Sequence, residues 1–497
     1  MKAFLGIDMG GTLVKAALFD EAGHEWAVAC ASTRLLTPAP GHTERDMEEF
    51  WQSVAEVTRA VLSQSKIDSA DVTAVACVGH GKGLYLWGKD GKPVRNGIIS
   101  TDTRAGSIVA KWNSDGTAER VFEKTIQKLM VSQPCALLKW LKVNEPESYA
   151  NIATVFEAKD YIRFRLTGKA LGEMTDYSGT NLMNLNTRAY DDELLSLFGI
   201  PEMKCCLPPL VSALEHCGCV TNEAAALTGL KAGTPVAGGM FDIDACAIAS
   251  GITDEENLCA IAGTWSINEY ISKTPVTNKS VAMNSLFCLP EYYLIEESSP
   301  TSAGNLEWFV KSVLDGDAKE AKAKGESIYA RLDETVVGIA PEDCSVRYLP
   351  YLFGAPENPD ARACFVGLGS EHTKAHMARA IFEGVVFGHL NHIEKLLKNR
   401  PLPGCIRLSG GAANSKVWAQ MFADVCGLPV ETVPVKELGA LGGAMSAAVM
   451  AGEYVNLAEA ARGMVPKGVR FEPNAGTREL WAKKYAMWLR LKNALAN

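Results

Sequence analysis

The groups that could do chemistry stand beside glycines in four places. In Gly6-Ile7-Asp8-Met9-Gly10-Gly11-Thr12-Leu13-Val14-Lys15 an aspartate closes an apolar run, two glycines turn the chain, and a hydroxyl and a cation follow. Glycines let backbone N–H groups come close to an anion. Thr12 adds a hydroxyl donor, Lys15 a positive charge, and Asp8 an oxygen able to hold a magnesium ion through water. The same residues would also make an ordinary hairpin, since short glycine motifs recur by chance. Gly263-Thr264-Trp265-Ser266 repeats the pattern after a second apolar run, and a triphosphate needs donors on several sides.

In Gly238-Gly239-Met240-Phe241-Asp242-Ile243-Asp244 a carboxylate precedes the small-residue helix expected over Ala245–Ser250. Placed there, Asp242 could take a proton from a hydroxyl nucleophile, or Asp242 or Asp244 could cap the helix. The fourth place is Leu408-Ser409-Gly410-Gly411-Ala412-Ala413-Asn414-Ser415, with Gly439-Ala440-Leu441-Gly442-Gly443-Ala444 beyond it. Strand, glycine turn and helix start leave a slot for a flat base such as adenine, with Asn414 as a hydrogen-bonding side chain. The second stretch also fits close helix packing. His80, Lys82, Asp102, Arg104, Glu173 and Asp176 offer the paired donors and acceptors that a sugar needs, although each alone reads as a loop residue or an ion pair.

The cluster Cys205, Cys206, His216, Cys217 and Cys219 lacks the C-x₂₋₄-C pairs of a zinc site. No HExxH, GxSxG or GxxxxGK[ST] occurs, which argues against zinc proteases, serine hydrolases and P-loop enzymes.

These groups need a frame of alternating strands and helices. Ala3–Asp8 and Leu13–Asp20 read as strands around a tight turn. Helical spacing over Glu44–Ser63 puts Phe50, Trp51, Val54 and Val57 on one side, and Val72–Val78 is a β-branched strand running into Gly79-His80-Gly81-Lys82-Gly83. In the second half, Cys259–Gly263 and Glu269–Ser272 read as a strand and its hairpin return, Ile406–Ser409 as a strand and Val417–Cys426 as a helix. The class is mixed α/β. Two halves that each open with strand, glycine turn and strand imply two similar lobes with a cleft between, divided near Ile248–Asp254 into residues 1–250 and 251–497.

The 497 residues allow two large domains or three smaller ones. With 47% apolar residues, 22% charged and a net charge of −9, the chain is globular and unsuited to nucleic acid as a general partner, though not to a small phosphorylated ligand. The uncharged stretch Leu438–Gly452 has 15 residues, fewer than the roughly 20 a spanning helix needs, and Asp8 interrupts any signal-peptide core. A cytoplasmic protein with its 14 cysteines reduced is expected, without membrane partners; a homodimer is left open.

The set of motifs resembles the FGGY carbohydrate kinases, a branch of the actin-like, Hsp70-like ATPases. The match rests on Ala363-Cys-Phe-Val-Gly367-Leu368, seven residues, then His376-Met-Ala-Arg-Ala380-Ile-Phe-Glu383-Gly384. Leu137-Leu-Lys-Trp140 keeps part of the N-terminal signature, with Leu137 where the family has lysine. Pro40-Gly41 with Glu44 and Asp46, Pro350-Tyr351 and Asp360-Ala-Arg362 follow the family's order. The resemblance implies two ribonuclease-H-like lobes that close over ATP and a sugar or polyol, the N-terminal one holding the sugar. It implies Asp242 as catalytic base and Asp8 as the Mg²⁺-side carboxylate. It implies contacts to ATP from the Gly10 and Gly263 turns, Thr12, Lys15, Thr264, Gly304, the Gly410-Gly411 turn and Asn414. Gly81-Lys82-Gly83-Leu84, Ser299-Pro300-Thr301-Ser302 and Glu383-Gly384-Val385-Val386-Phe387 look most like the L-xylulose kinase subgroup. Kinases of the D sugar have Gln-Met-His-Gly at His80–Gly83, and the Arg-Glu pair of glycerol kinases is absent. Phosphorylation of a ketopentose, L-xylulose first, is therefore expected, with D-xylulose or erythritol, or a non-catalytic nucleotide switch, as rivals.

Overall fold

The computed structural model describes residues 2–355, 358 and 361–495; Asp360 of the Asp360-Ala-Arg362 match lies outside them. The chain divides into two units. One comprises Met1–Thr253, Ser272–Leu294 and Glu437–Val465, the other Asp254–Ile271, Ile295–Lys436 and Pro466–Asn497.

The first unit is built on the strand Ala3–Met9. It pairs antiparallel with Leu13–Phe19 and, on its other side, parallel with Val72–Gly79. Neighbours on both edges and helices on both faces explain why this strand is an almost unbroken apolar run. Leu5, Ile7 and Met9 join a core with Phe50, Trp51, Val54 and Val57 of the helix Met47–Ser65. That helix starts three residues later than the spacing predicts. Glu44–Arg45 is a short strand paired with Gly97–Ile98, and the Asp46 carboxylate accepts the Glu48 and Glu49 N–H groups at 2.8 Å each, which fixes the helix start.

The helix Leu438–Met450 returns to this unit and packs on Ala3–Met9 and Val72–Gly79. A Cβ on Gly6 would come 1.8 Å from the Ala440 carbonyl oxygen, and one on Gly442 2.5 Å from that of Ala245. The stretch Gly439–Ala444 therefore serves close packing and is not part of a slot for a base.

The second unit repeats the plan. Leu258–Ala262 pairs antiparallel with Ser266–Ser272 and parallel with Ile406–Gly410, which continues to Val430–Thr432 and Arg470–Phe471. The hairpin return begins at Ser266, three residues before the predicted Glu269. The helix Lys374–Leu397 carries much of the sequence signature and uses it for packing. A Cβ on Gly384 would lie 2.4 Å from the Tyr348 carbonyl oxygen. Buried Glu383 accepts from Arg379 at 2.9 Å and Lys484 at 2.8 Å. Each unit thus sets a glycine turn at the end of a buried central strand. Among the described residues no helix is long and apolar enough to cross a membrane.

Candidate active site

In the first unit the turn after Ala3–Met9 is closed by the Gly10 N–H donating to the Leu13 carbonyl at 2.9 Å. Arg45 donates from Nη2 to the Gly10 carbonyl at 3.3 Å and also to that of Gly11. Its guanidinium lies 4.5 Å above the Phe50 ring, buried, and Nε and Nη1 have no acceptor. Because carbonyl and N–H of a trans peptide point opposite ways, binding these two carbonyls turns the N–H groups of Gly11 and Thr12 away from Arg45. A Cβ on Gly11 would meet nothing within 4 Å, so an anion has open access to the turn.

Asp8 and Lys15 face each other across this hairpin, and Lys15 Nζ lies 2.7 Å from Glu437. Burial alone would lower the lysine pKa, but Glu437 and Asp8 outweigh it and raise it. Burial pushes Asp8 up to about 6, against the pull of Lys15. A Cβ on Gly439 would stand 2.5 Å from Asp8 Oδ2, so glycine is what leaves the carboxylate its room. A hard oxygen donor whose charge is costly without a cation fits magnesium, which binds through one or two carboxylates and substrate phosphates. Asp8 would hold it, and the ion would supply neutralisation of phosphate charge.

Asp242 is the first residue of the helix Asp242–Ala249, three residues earlier than the sequence predicts, and no side chain caps that helix. Phe241 positions it: its N–H donates to Thr175 Oγ1 at 2.9 Å, and that hydroxyl donates to Glu173 Oε2 at 2.7 Å. Glu173 also accepts the Thr175 N–H and lies 3.4 Å from Lys159 Nζ, so its oxygens are engaged within the protein. Asp244 is fully buried and accepts the Cys288 N–H at 2.8 Å. Thr175→Val would leave the Phe241 N–H and Glu173 without this link. The expected result is a loss of about 1–3 kcal/mol of stability together with a fall in kcat, read by thermal melts and initial rates.

Asp176 is buried, and neither of its oxygens accepts a hydrogen bond. Lys159 Nζ is 3.5 Å away, and Asp242 bears on it electrostatically. Burial and the carboxylates of Asp160, Glu173 and Asp242 raise its pKa well above the usual range despite Lys159. A Cβ on Gly81 would come 2.6 Å from Asp176 Oδ1 and 2.7 Å from the Phe241 ring, so this glycine allows the loop to lie against both. His80 beside it is buried, with Nε2 3.1 Å from the Tyr85 hydroxyl and Nδ1 3.3 Å from the Gly81 carbonyl. Burial and Arg45 lower its pKa to about 3, so the ring stays neutral. Lys82 holds φ at +64°, where a side chain is strained.

Asp102 and Arg104 are paired with each other, with Arg104 Nη2 2.8 Å from both Asp102 Oδ2 and Glu44 Oε1. Arg104 Nη1 has no acceptor.

In the second unit Gly263, Thr264, Gly304, Gly411 and Asn414 line one cavity of about 560 Å³. Gly304 opens the helix Gly304–Ser312, and its N–H donates to the Gly263 carbonyl at 3.3 Å. This puts a helix N-terminus, which favours anions, beside the Thr264 turn. The lining also includes apolar groups: Phe382 and Trp418, which stack at 4.4 Å, with Tyr329 and Ala330 on the same cavity. Asp333 on its wall accepts from Ser415 Oγ at 2.6 Å, and burial raises its pKa. Glycine turns together with apolar and aromatic side chains in one cavity suit a nucleotide.

Sequence reasoning missed Arg45, Lys159 and Asp333. Lys159 and Asp160 had a signal, an adjacent charged pair at the start of a helix that buries them together with Arg163. Arg45 stood inside the Glu44–Asp46 segment without a motif of its own. The cysteine cluster forms two small contacts, Cys205 Sγ to Cys206 Sγ at 3.9 Å and Cys219 Sγ to His216 Nε2 at 3.7 Å. No disulfide joins any of the 14 cysteines.

Two units of one plan, with an anion-accepting turn on each and a nucleotide-shaped cavity in the second, define the class: a two-domain α/β ATPase of the actin-like kind. Residues 3–249 match the N-terminal domain of the FGGY family of carbohydrate kinases and residues 258–451 its C-terminal domain. The chain belongs to this family and is an ATP-dependent carbohydrate kinase. It is 38% identical to the L-xylulose/3-keto-L-gulonate kinase of Escherichia coli K12, over 99% of this chain and 97% of that one. It is 35% identical to a probable L-xylulose kinase of Pasteurella multocida, over 100% and 99%. A ligand-bound xylulose kinase from Lactobacillus acidophilus superposes with a TM-score of 0.89 at 25% identity, covering 100% of this chain and 99% of that one.

Proposed function

We propose that this kinase transfers the γ-phosphoryl group of MgATP to a terminal hydroxyl of a ketopentose, L-xylulose. The observation that carries the reading is the Gly81-Lys82-Gly83 loop lying against Asp176 and Phe241, with Asp242 following at a helix start. Asp242 takes the hydroxyl proton as the sugar oxygen attacks in line. Most of the remaining acceleration comes from positioning and charge neutralisation, with the hairpin of Gly10, Thr12 and Lys15 and the turns at Gly263–Thr264 and Gly410–Gly411 serving the phosphates. Asn414 and the apolar groups around Trp418 receive the base. The names of the relatives at 35–38% identity support L-xylulose over D-xylulose or erythritol. An ATP-consumption screen across ketopentoses, tetritols and hexuloses tests this; D-xylulose or erythritol outrunning L-xylulose would overturn it.

Lys82 gives a sharper test. A lysine at positive φ costs about 1 kcal/mol that glycine would not, and in this reading its ammonium contacts the substrate. Lys82→Met is expected to lower kcat/KM for the sugar by about 10- to 150-fold, the value of a charged hydrogen bond, and to leave the KM for ATP unchanged. Lys82→Gly is expected to melt higher than wild type while showing the same sugar defect.

A further inference from the structure

Glu157 has no role in the reading above, yet it is 1% exposed and its Oε2 has no hydrogen-bond partner. A buried carboxylate oxygen without a partner is costly and calls for a reason. The bland reason fails: Glu157 precedes the helix Ala158–Thr167, but its side chain makes no capping bond there. Its place in the fold supplies another. Phe156 pairs with Tyr85 across the strands Ile152–Phe156 and Tyr85–Gly88. Glu157 therefore leaves its strand where the Gly81-Lys82-Gly83 loop enters the other. Lys82 and Asp176 both act on it electrostatically, and Asp176, whose oxygens also accept no hydrogen bond, lies against Gly81. Two buried, unsatisfied carboxyl groups and one strained lysine thus share one corner of the candidate sugar site.

We propose that Glu157 is a specificity residue, whose Oε2 accepts a hydrogen bond from a hydroxyl of a neutral ketose and whose carboxyl group, clustered with Asp176, disfavours a substrate carboxylate beside Lys82. This rests on the sugar-kinase reading of the same site. It names the substrate class as neutral polyhydroxy ketoses in preference to keto-sugar acids. Burial and the carboxylate of Asp176 raise the Glu157 pKa, with Lys159 and Lys82 opposing, in keeping with a group that lacks its hydrogen-bonding partner.

The test compares wild type with Glu157→Leu, which keeps approximate size and removes both the charge and the hydrogen-bond acceptor. L-Xylulose and 3-keto-L-gulonate serve as neutral and acidic substrates. The variant is expected to lose about tenfold or more in kcat/KM for the neutral ketose, with the KM for ATP within twofold. The ratio of acidic to neutral kcat/KM is expected to rise by about tenfold. Unchanged sugar kinetics and an unchanged ratio would overturn the proposal. If wild type turns over neither substrate, the L-xylulose reading fails on its own, and the Glu157 test proceeds on the best neutral polyol from the screen. Should the variant misfold, a crystal structure of the wild-type protein with its sugar decides: a hydroxyl oxygen within hydrogen-bond distance of Glu157 Oε2 supports the assignment, and a bound sugar that leaves Oε2 unpaired removes it.

Discussion

Asp242→Asn is expected to bind ATP and sugar normally and to lose turnover by about 10²–10⁴-fold, the contribution of a general base. The amide keeps the size of the carboxyl group and can still accept a hydrogen bond from the sugar hydroxyl, so binding survives. It cannot take the proton, so chemistry does not. Asp244 supplies the control two residues away. It is fully buried, and its Oδ1 accepts the Cys288 N–H, a bond that the amide oxygen of Asp244→Asn reproduces. The aspartate also carries a charge that burial and the carboxylates of Glu173, Asp176 and Asp242 make unfavourable, raising its pKa. Asp244→Asn is therefore expected to keep kcat within a few-fold of wild type and to fold at least as well. Calorimetric titration with sugar and single-turnover rates separate binding from chemistry. An inactive Asp244→Asn beside an active Asp242→Asn would move the base to the other position.

The residues that could be read ahead of the structure are those whose role is local. The buried strand Ala3–Met9, its glycine turn and the return at Leu13 follow from apolar runs and short-range turn chemistry. Helix starts are less legible because they depend on partners far along the chain. Glu44 and Arg45 have helical spacing with Phe50, yet pairing with Gly97–Ile98 takes them into a strand. The Gly439–Ala444 stretch illustrates the same limit: small residues at helical spacing open a slot or permit close packing, and only the approach of Gly6 to Ala440 decides between them. For the sugar side, polarity picked out Asp176 and Lys82 but could not separate them from Glu173, whose oxygens hold Thr175. Glu157 left no trace, since a glutamate before a helix resembles an ordinary cap.

Asp8→Asn is expected to trade activity for stability. Burial raises the Asp8 pKa to about 6, Lys15 opposing and Glu437 adding to the rise. The folded chain therefore holds this proton more tightly than the unfolded chain, whose carboxyl titrates near pH 4. The fold is penalised as pH rises through that interval, fully so above about pH 6, and not at all below about pH 4. A shift of about two units corresponds to about 3 kcal/mol, and less here because part of the residue faces solvent. Asparagine removes the charge and with it the penalty. The variant should melt above wild type at pH 7.5, and the two melting curves should converge near pH 4. Activity runs the other way. If Asp8 serves magnesium at the phosphates, losing the carboxylate should cost about 10²-fold or more in kcat/KM for ATP. Magnesium added with ADP should then raise the melting temperature of wild type and not of Asp8→Asn. A variant that gains no stability at neutral pH would show that the Asp8 charge is already well solvated. One that gains stability and keeps full activity would place the magnesium ligand elsewhere in the chain.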